Sequence, residues 1–198
     1  VPFHYFGISD IKSIDYENVD LTKIDVLAKL LSVNKRVDYI IEQMNFYSFV
    51  GNKRKAIGFC VSKEHGIYMS EEFNKRGINS TFLSSEDSIL NRVNFIEKLE
   101  DDTDSLEVIF TVDIFNEGVD IPSINTVLFL RPTNSPIVFI QQLGRGLRKY
   151  KNKEFLTVLD FIGNHKKAYL IALALAGNKA IDKDSLKLFL SNNFANFK

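Results

Sequence analysis

The stretch QQLGRGLRK, Gln141 to Lys149, sets two arginines and two glycines into what otherwise reads as a helix. Ser135 can cap that helix and Pro136 can begin it, because serine accepts bonds from the first free amides and proline loses nothing at the first helical position. At about 100° per residue, Gln141, Gly144, Arg145 and Arg148 then share one face, while Ile137, Phe139, Ile140, Leu143 and Leu147 supply core contacts. A guanidinium carries fixed planar donors that suit phosphate oxygens, and two on one helical face could grip a single γ-phosphate. A plainer reading stands beside it: Arg145, Arg148 and Lys149 complement the negative end of a helix dipole, with Gly146 as the C-terminal cap. Each glycine costs a helix about 1 kcal/mol relative to alanine, so their presence needs a reason that the helix alone does not supply.

A second group, TVDIFNEGVDIP from Thr111 to Pro122, places Glu117, Gly118 and Asp120 in a turn that Pro122 ends. A carboxylate there can bond a ribose hydroxyl and a glycine lets backbone approach a phosphate; equally, the segment can be a polar strand-to-helix loop. Other chemistries lack their parts. There is no GxxxxGK followed by Ser or Thr, and Gly144 and Gly146 lack the third glycine of GxGxxG, so the chain has no means of cradling a nucleotide phosphate unaided and a dinucleotide-dependent oxidoreductase is disfavoured. His4, His65, His165 and Cys60 show no zinc spacing, no metal site is expected, and Cys60 falls in a buried strand as an inert core thiol.

The hydrophobic pattern says what must hold these segments. KAIGFCVS (Lys55 to Ser62), INSTFLS (Ile78 to Ser84), LEVIFTV (Leu106 to Val112), INTVLFL (Ile124 to Leu130) and EFLTVLDFI (Glu154 to Ile162) are short apolar runs separated by helical stretches. That is the signature of a parallel sheet covered on both faces. The first intervening helix ends at Gly77; the second, Ser85 to Leu99, carries the stripe Ile89, Val93, Ile96 and Leu99. A doubly wound α/β domain is therefore expected over residues 51–165, with its ligand loops at the carboxyl ends of the strands. Residues 1–19 show aromatics but no period and read as a connecting segment. Leu21, Ile24, Leu27, Leu30 and Leu31, then Val37, Ile40, Ile41 and Met44, mark two amphipathic helices before residue 50. Two more, near Lys166 to Ala176 and Asp182 to Asn192, are expected within 166–198, giving extra helices at both ends.

With 198 residues and 45% hydrophobic content the chain can bury a real core. Lys plus Arg and Asp plus Glu each number 25, so no global field draws it to nucleic acid or membrane and any basic surface is local. Arg145, Arg148, Lys149, Lys151, Lys153, Lys166 and Lys167 make the dense basic region, readable as phosphate-contacting or as a solvated face. A single cysteine excludes an internal disulfide, and YLIALALA (Tyr169 to Ala176) is far short of the roughly 20 residues of a membrane span. A soluble, cytoplasmic protein with no membrane partner is expected. The start at Val1, inside an apolar phrase, points to a fragment of something longer.

Together, FTVDIFNEGVDIP, VLFLRPTNSPIVFIQQLGRGLR and LTVLDFIGN resemble motifs V and VI and the following strand of the superfamily 2 helicases, especially the branch of restriction-enzyme motor subunits and bacterial helicase relatives. KAIGFCVS resembles motif IV, and the helix around Arg92 resembles the segment before motif V. The resemblance covers roughly residues 50–164 and implies the second of two RecA-like motor domains. ATP with Mg2+ would be bound jointly with a preceding RecA-like domain that carries the P-loop lysine and the acidic metal-binding motif. In the family's pattern Arg145 and Arg148 are arginine fingers, Gln141 helps hold them or the attacking water, Asp120 bonds the ribose, and Gly118 lies near the phosphates. Glu117 either orients Arg145 or serves the turn, and Gly144 permits close approach. Nucleic acid, DNA ahead of RNA, would be held by backbone contacts from Val61 and Ser62 in motif IV and from Thr111 and Val112 in motif V. The chain departs from the common form here, since many relatives place threonine directly before the motif V aspartate, where this chain has Val112. The implied activity is ATP-dependent helicase or translocase action, with this piece inactive alone. An RNA helicase domain and a non-catalytic RecA-like module that binds nucleic acid or protein are the alternatives.

Overall fold

Runs such as AIGF and VIFT are apolar or small at almost every position, which suits strands buried on both faces. A computed structural model describes residues 1–14, 20, 23–112, 121–132, 148–151 and 153–161. It contains β1 (Phe3–Gly7), α1 (Ile24–Leu31), α2 (Asn34–Phe46), β2 (Ala56–Phe59), α3 (Lys63–Lys75), β3 (Ser80–Leu83), α4 (Ile89–Glu100), β4 (Val108–Thr111), β5 (Thr126–Phe129) and β6 (Leu156–Asp160). Every residue of β2, β4, β5 and β6 is buried. The six strands form one sheet in the order β1-β6-β5-β2-β4-β3, all neighbours parallel. From β4 the chain crosses β2 to reach β5, so β2 and its neighbours lie where the direction of winding changes, the place at which such sheets hold ligands.

The sheet's two faces bury separate clusters, as the two-residue period of a strand requires. Ala56, Val108, Phe110 and Leu128 pack with Val37, Ile40 and Met44 of α2 and with Met69 and Phe73 of α3. Ile57, Phe59, Ile109, Val127 and Phe129 pack on the other face with Phe95, Ile96 and Leu99 of α4. The doubly wound α/β expectation holds. Gly58 belongs to the first face because space there is already taken: a Cβ at this position would stand 2.5 Å from Cδ1 of Phe110. The Phe110 ring in turn meets Phe73 edge-on at 4.9 Å.

Helix ends follow their local chemistry. Ser62 Oγ accepts from the His65 N–H at 3.2 Å and starts α3. At the other end Gly77 takes φ +79°, and the Gly77 and Ile78 N–H groups bond Asn74 O and Phe73 O at 3.0 Å each, a Schellman closure. The outer edge of β3 is blunted by Asn74, whose amide nitrogen donates to Ser80 O at 3.0 Å while its oxygen accepts from Ser80 N at 2.8 Å.

Two sequence expectations need correction. Residues 1–19 are not only a connecting segment, because Phe3–Gly7 form a sheet strand in register with Leu156–Asp160. The strand was masked by its edge position, with only Tyr5 buried, although Phe3, Tyr5 and Phe6 are strand-favouring types. The stripe expected on α4 is buried only in its second half: Ile96 and Leu99 reach the core, whereas Ile89 is 70% and Val93 45% exposed. The helix expected from Pro136 and the two expected beyond residue 165 lie outside the described residues. Among the described residues, no helix is long and apolar enough to cross a membrane. The packing at Gly58 sets a test: Gly58→Ala forces its new methyl group into the Phe110 ring and is expected to destabilise the fold by about 1–3 kcal/mol in urea denaturation; a neutral result would show that the ring relaxes freely.

Candidate functional site

The carboxyl edge of the sheet brings motif IV and motif V candidates side by side. β2 and β4 are neighbours, with Phe59 opposite Thr111, and the Cys60 N–H donates to Thr111 O at 2.7 Å. Val61 and Ser62 therefore leave β2 next to where Thr111 and Val112 leave β4. Their side chains are committed elsewhere. Val61 packs against the satellite cluster of Ile14, Leu27 and Leu31, which fastens α1 to this loop, and its N–H donates to His65 Nδ1 at 3.3 Å. Ser62 Oγ caps α3. Thr111 is fully buried, and among the described residues its Oγ1 has no hydrogen-bond partner. A buried hydroxyl is not placed to meet a phosphate in solvent, so among the described residues after β2 and β4 it is main chain, chiefly the start of α3, that could meet a ligand. Glu64 stands at the same helix start; its carboxyl is held below the usual range by its own backbone N–H and by Ser62.

Beneath these loops lies a buried charge that the apolar pattern does not announce. Arg36 of α2 is wholly buried and its Nε donates to Asp10 Oδ2 at 2.8 Å, both side chains being inaccessible to solvent. Asp10 Oδ1 accepts from the Ile11 N–H at 2.9 Å, and Arg36 Nη2 donates to Leu130 O at 3.3 Å, just past β5. One guanidinium thus ties the segment after β1 to the segment after β5. It also sits near His65 and Cys60. Burial, then the Arg36 charge, lowers the pKa of His65 to about 3, so the ring is neutral, with Nδ1 accepting and the proton on Nε2. Burial pushes the Cys60 thiol up to about 12 despite Arg36 and Arg131, which fits the inert core thiol read from the sequence. Further along the same edge the Tyr5 hydroxyl donates to Asp160 Oδ2 at 2.6 Å, and burial followed by that carboxylate raises the tyrosine well above its ordinary value.

Of the other sequence candidates, Glu117, Gly118, Asp120, Gln141, Gly144 and Arg145 lie outside the described residues. Arg148 is described and exposed. Among the described residues no group of His, Cys, Asp and Glu could hold a metal ion, so none of them offers a ligand set for Mg2+. Sequence reasoning missed Arg36, Asp10 and His65. Arg36 carried a readable signal, because it precedes Ile40 and Met44 by four and eight residues and so falls on the buried face of α2.

Two measurements follow from this geometry. Removing one member of a buried pair strands the other, so Asp10→Ala is expected to cost about 3–5 kcal/mol in urea denaturation, with most of it recovered when Arg36→Met is added to Asp10→Leu; a mild single effect would deny the pair its structural weight. His65 binds its proton in the unfolded chain below about 6.5 but in the folded chain only near 3, so its contribution is complete above pH 6.5 and is lost as pH falls towards 3. The loss approaches about 1.4 kcal/mol per pH unit, and His65→Asn should flatten the decline measured between pH 7 and pH 5. Parallel declines in the two proteins would contradict a buried neutral histidine.

Residues 23–150 match the family described as helicase conserved C-terminal domain. IRC3 of Saccharomyces cerevisiae, whose name assigns it to the ATP-dependent helicases, is 29% identical over 175 residues, covering 88% of this chain and 24% of the relative. The chain thus spans about a quarter of the curated relatives it matches. Among solved structures, a fragment assigned as an HsdR subunit of a type I restriction enzyme from Vibrio vulnificus YJ016 superposes with a TM-score of 0.63 at 20% identity, covering 85% of this chain and 33% of that one. The ATP-dependent Type ISP restriction-modification enzyme LlaBIII, solved bound to DNA, gives a TM-score of 0.59 at 18% identity over 89% of this chain and 14% of its own. These likenesses establish the RecA-like fold. With well over half of its length matched by one family, the chain belongs to the helicase conserved C-terminal domains.

Proposed function

We propose that this chain is the second motor domain of an ATP-dependent nucleic-acid helicase or translocase acting on DNA. The observation that carries the reading is the adjacency of the motif IV and motif V strand ends, joined by the Cys60 to Thr111 main-chain bond at a ligand-holding edge of the sheet. Nucleic-acid backbone would lie against the main chain of Val61 and Ser62 and of Thr111 and Val112. ATP would be bound between this domain and a preceding RecA-like domain, which would also hold Mg2+ through its own acidic residues.

In this reading Arg145 and Arg148 direct their guanidinium groups at the γ-phosphate and stabilise charge as it develops there; Gln141 keeps them, or the attacking water, in place. Such fingers contribute about a thousandfold or more in related phosphoryl transfers. Asp120 bonds the ribose, Gly118 lies near the phosphates, Gly144 permits close approach to neighbouring main chain or nucleotide, and Glu117 either orients Arg145 or serves the turn. The chain alone would leave ATP with one wall of its site and should not turn it over. DNA is put ahead of RNA on the resemblance of the motif V and VI segments to the restriction-enzyme motor branch. In the full-length protein, Arg145→Ala is expected to lower nucleic-acid-stimulated ATP hydrolysis by about a thousandfold, with the folding transition and oligonucleotide binding unchanged. Normal turnover would remove Arg145 from the finger role, and equal stimulation by RNA would remove the preference for DNA.

A further inference from the structure

The opposite, amino edge of the sheet holds a cavity of about 250 Å3, to which, among the described residues, the motif IV segment contributes only its first residue, Lys55. Its walls come from residues that immediately precede strands: Lys55 before β2, Asn125 before β5 and Lys153 shortly before β6, joined by Lys53, Tyr150 and Lys151. The floor is fixed. The Asn125 side chain donates to Val50 O and Lys53 O at 2.8 Å each and accepts from the Lys55 N–H at 2.9 Å, pinning the turn that contains Gly51 at φ +105°.

Three of the four lysines are held rather than solvated. Lys53 Nζ donates to Lys98 O at 3.0 Å and Asp101 O at 2.6 Å, Lys55 Nζ to Glu100 O at 2.6 Å and Asp102 Oδ1 at 2.7 Å, and Lys153 Nζ to Pro122 O at 2.8 Å. Closing the carboxyl end of α4 accounts for Lys53 and Lys55. It does not account for Lys151 and Lys153 converging on the same space with the Tyr150 ring, 44% exposed, at its rim. Among the described residues the lining holds one carboxylate, Asp102. An ammonium has three donors, and Lys53 and Lys55 have used two each. Desolvation, with repulsion from Lys55, also lowers the proton affinity of Lys53, although Asp104, Asp101 and Asp102 oppose this. An anion in the cavity would relieve that strain of charge. The chain's formal net charge is zero, so this concentration is local.

We propose that this cavity binds one nucleotide unit of a single-stranded nucleic acid, with phosphate oxygens on the lysines and a base stacked on Tyr150, a second contact distinct from the motif IV and motif V edge. Cationic grooves with an aromatic platform hold single strands in this way. The inference rests on the nucleic-acid reading of the domain. The test measures binding of a fluorescein-labelled oligo-dT to the full-length protein by anisotropy over a range of salt, for wild type, Tyr150→Ala and Lys151→Gln, both at exposed positions. Tyr150→Ala should weaken binding by about tenfold, and Lys151→Gln should reduce the slope of log affinity against log salt by about 0.7. Wild-type binding with both variants unchanged would overturn the cavity site while leaving the motor reading intact; no binding by wild type would count against the motor reading itself. Thermal stabilisation by inorganic pyrophosphate that vanishes in Lys151→Gln, with oligo-dT affinity unchanged, would assign the cavity to a free polyphosphate and overturn the strand.

Discussion

A guanidinium and a carboxylate with no access to water must hold each other and find donors and acceptors for their remaining valences, or the fold loses several kcal/mol. Arg36 and Asp10 meet that demand by reaching across the structure. Arg36 comes from the apolar face of α2, Asp10 from the segment after β1, and the second arginine contact falls on the carbonyl of Leu130 after β5. These segments leave the sheet at the same edge as the loops after β2 and β4. The geometry of that edge therefore depends on a pair that no single loop encodes. Its influence extends to His65, kept neutral by burial and by the arginine's charge, and the neutral ring accepts the Val61 N–H that shapes the start of α3.

The two edges of the sheet are chemically unlike. At the carboxyl edge the side chains of Val61, Ser62, Thr111 and Cys60 are occupied in packing, capping or burial, which leaves main-chain groups free to face a ligand at these four positions. Under the proposed function, contact through main chain would be indifferent to base sequence, as movement along a strand requires. At the amino edge, charge is concentrated instead, with ammonium groups bonded to the last carbonyls of α4 and to Pro122. One helix thus has its core stripe in its second half, its carbonyl end tied down by lysines, and its first turns exposing Ile89 and Leu90.

Much of this was legible in the sequence because it follows from local rules. The five interior and edge runs found by apolar pattern became β2 to β6, and Gly77 closed α3 with the positive φ that its position suggested. What was not legible depends on long-range partners. Phe3–Gly7 reads as irregular because an edge strand buries too few residues to print a period, and only its register with β6 makes it a strand. Asp10 is 26 residues from Arg36, and Leu130 is 94, so no spacing rule connects them. Thr111 reads as a main-chain contact, and nothing local in the sequence says that its side chain is fully buried. The arginine face from Gln141 to Arg148 was read from helical spacing and glycine placement, and of it the described residues include Arg148 alone.

The central claim is that the adjacent strand ends of β2 and β4 form the nucleic-acid side of a motor whose nucleotide is shared with a preceding domain. Its most direct test is the steady-state ATP hydrolysis rate of the full-length protein with and without single-stranded DNA. The expected result is slow turnover alone and a clear, saturable stimulation by the strand, with no turnover by the 198-residue chain by itself. Hydrolysis that ignores the strand, or turnover by the isolated chain, would contradict it.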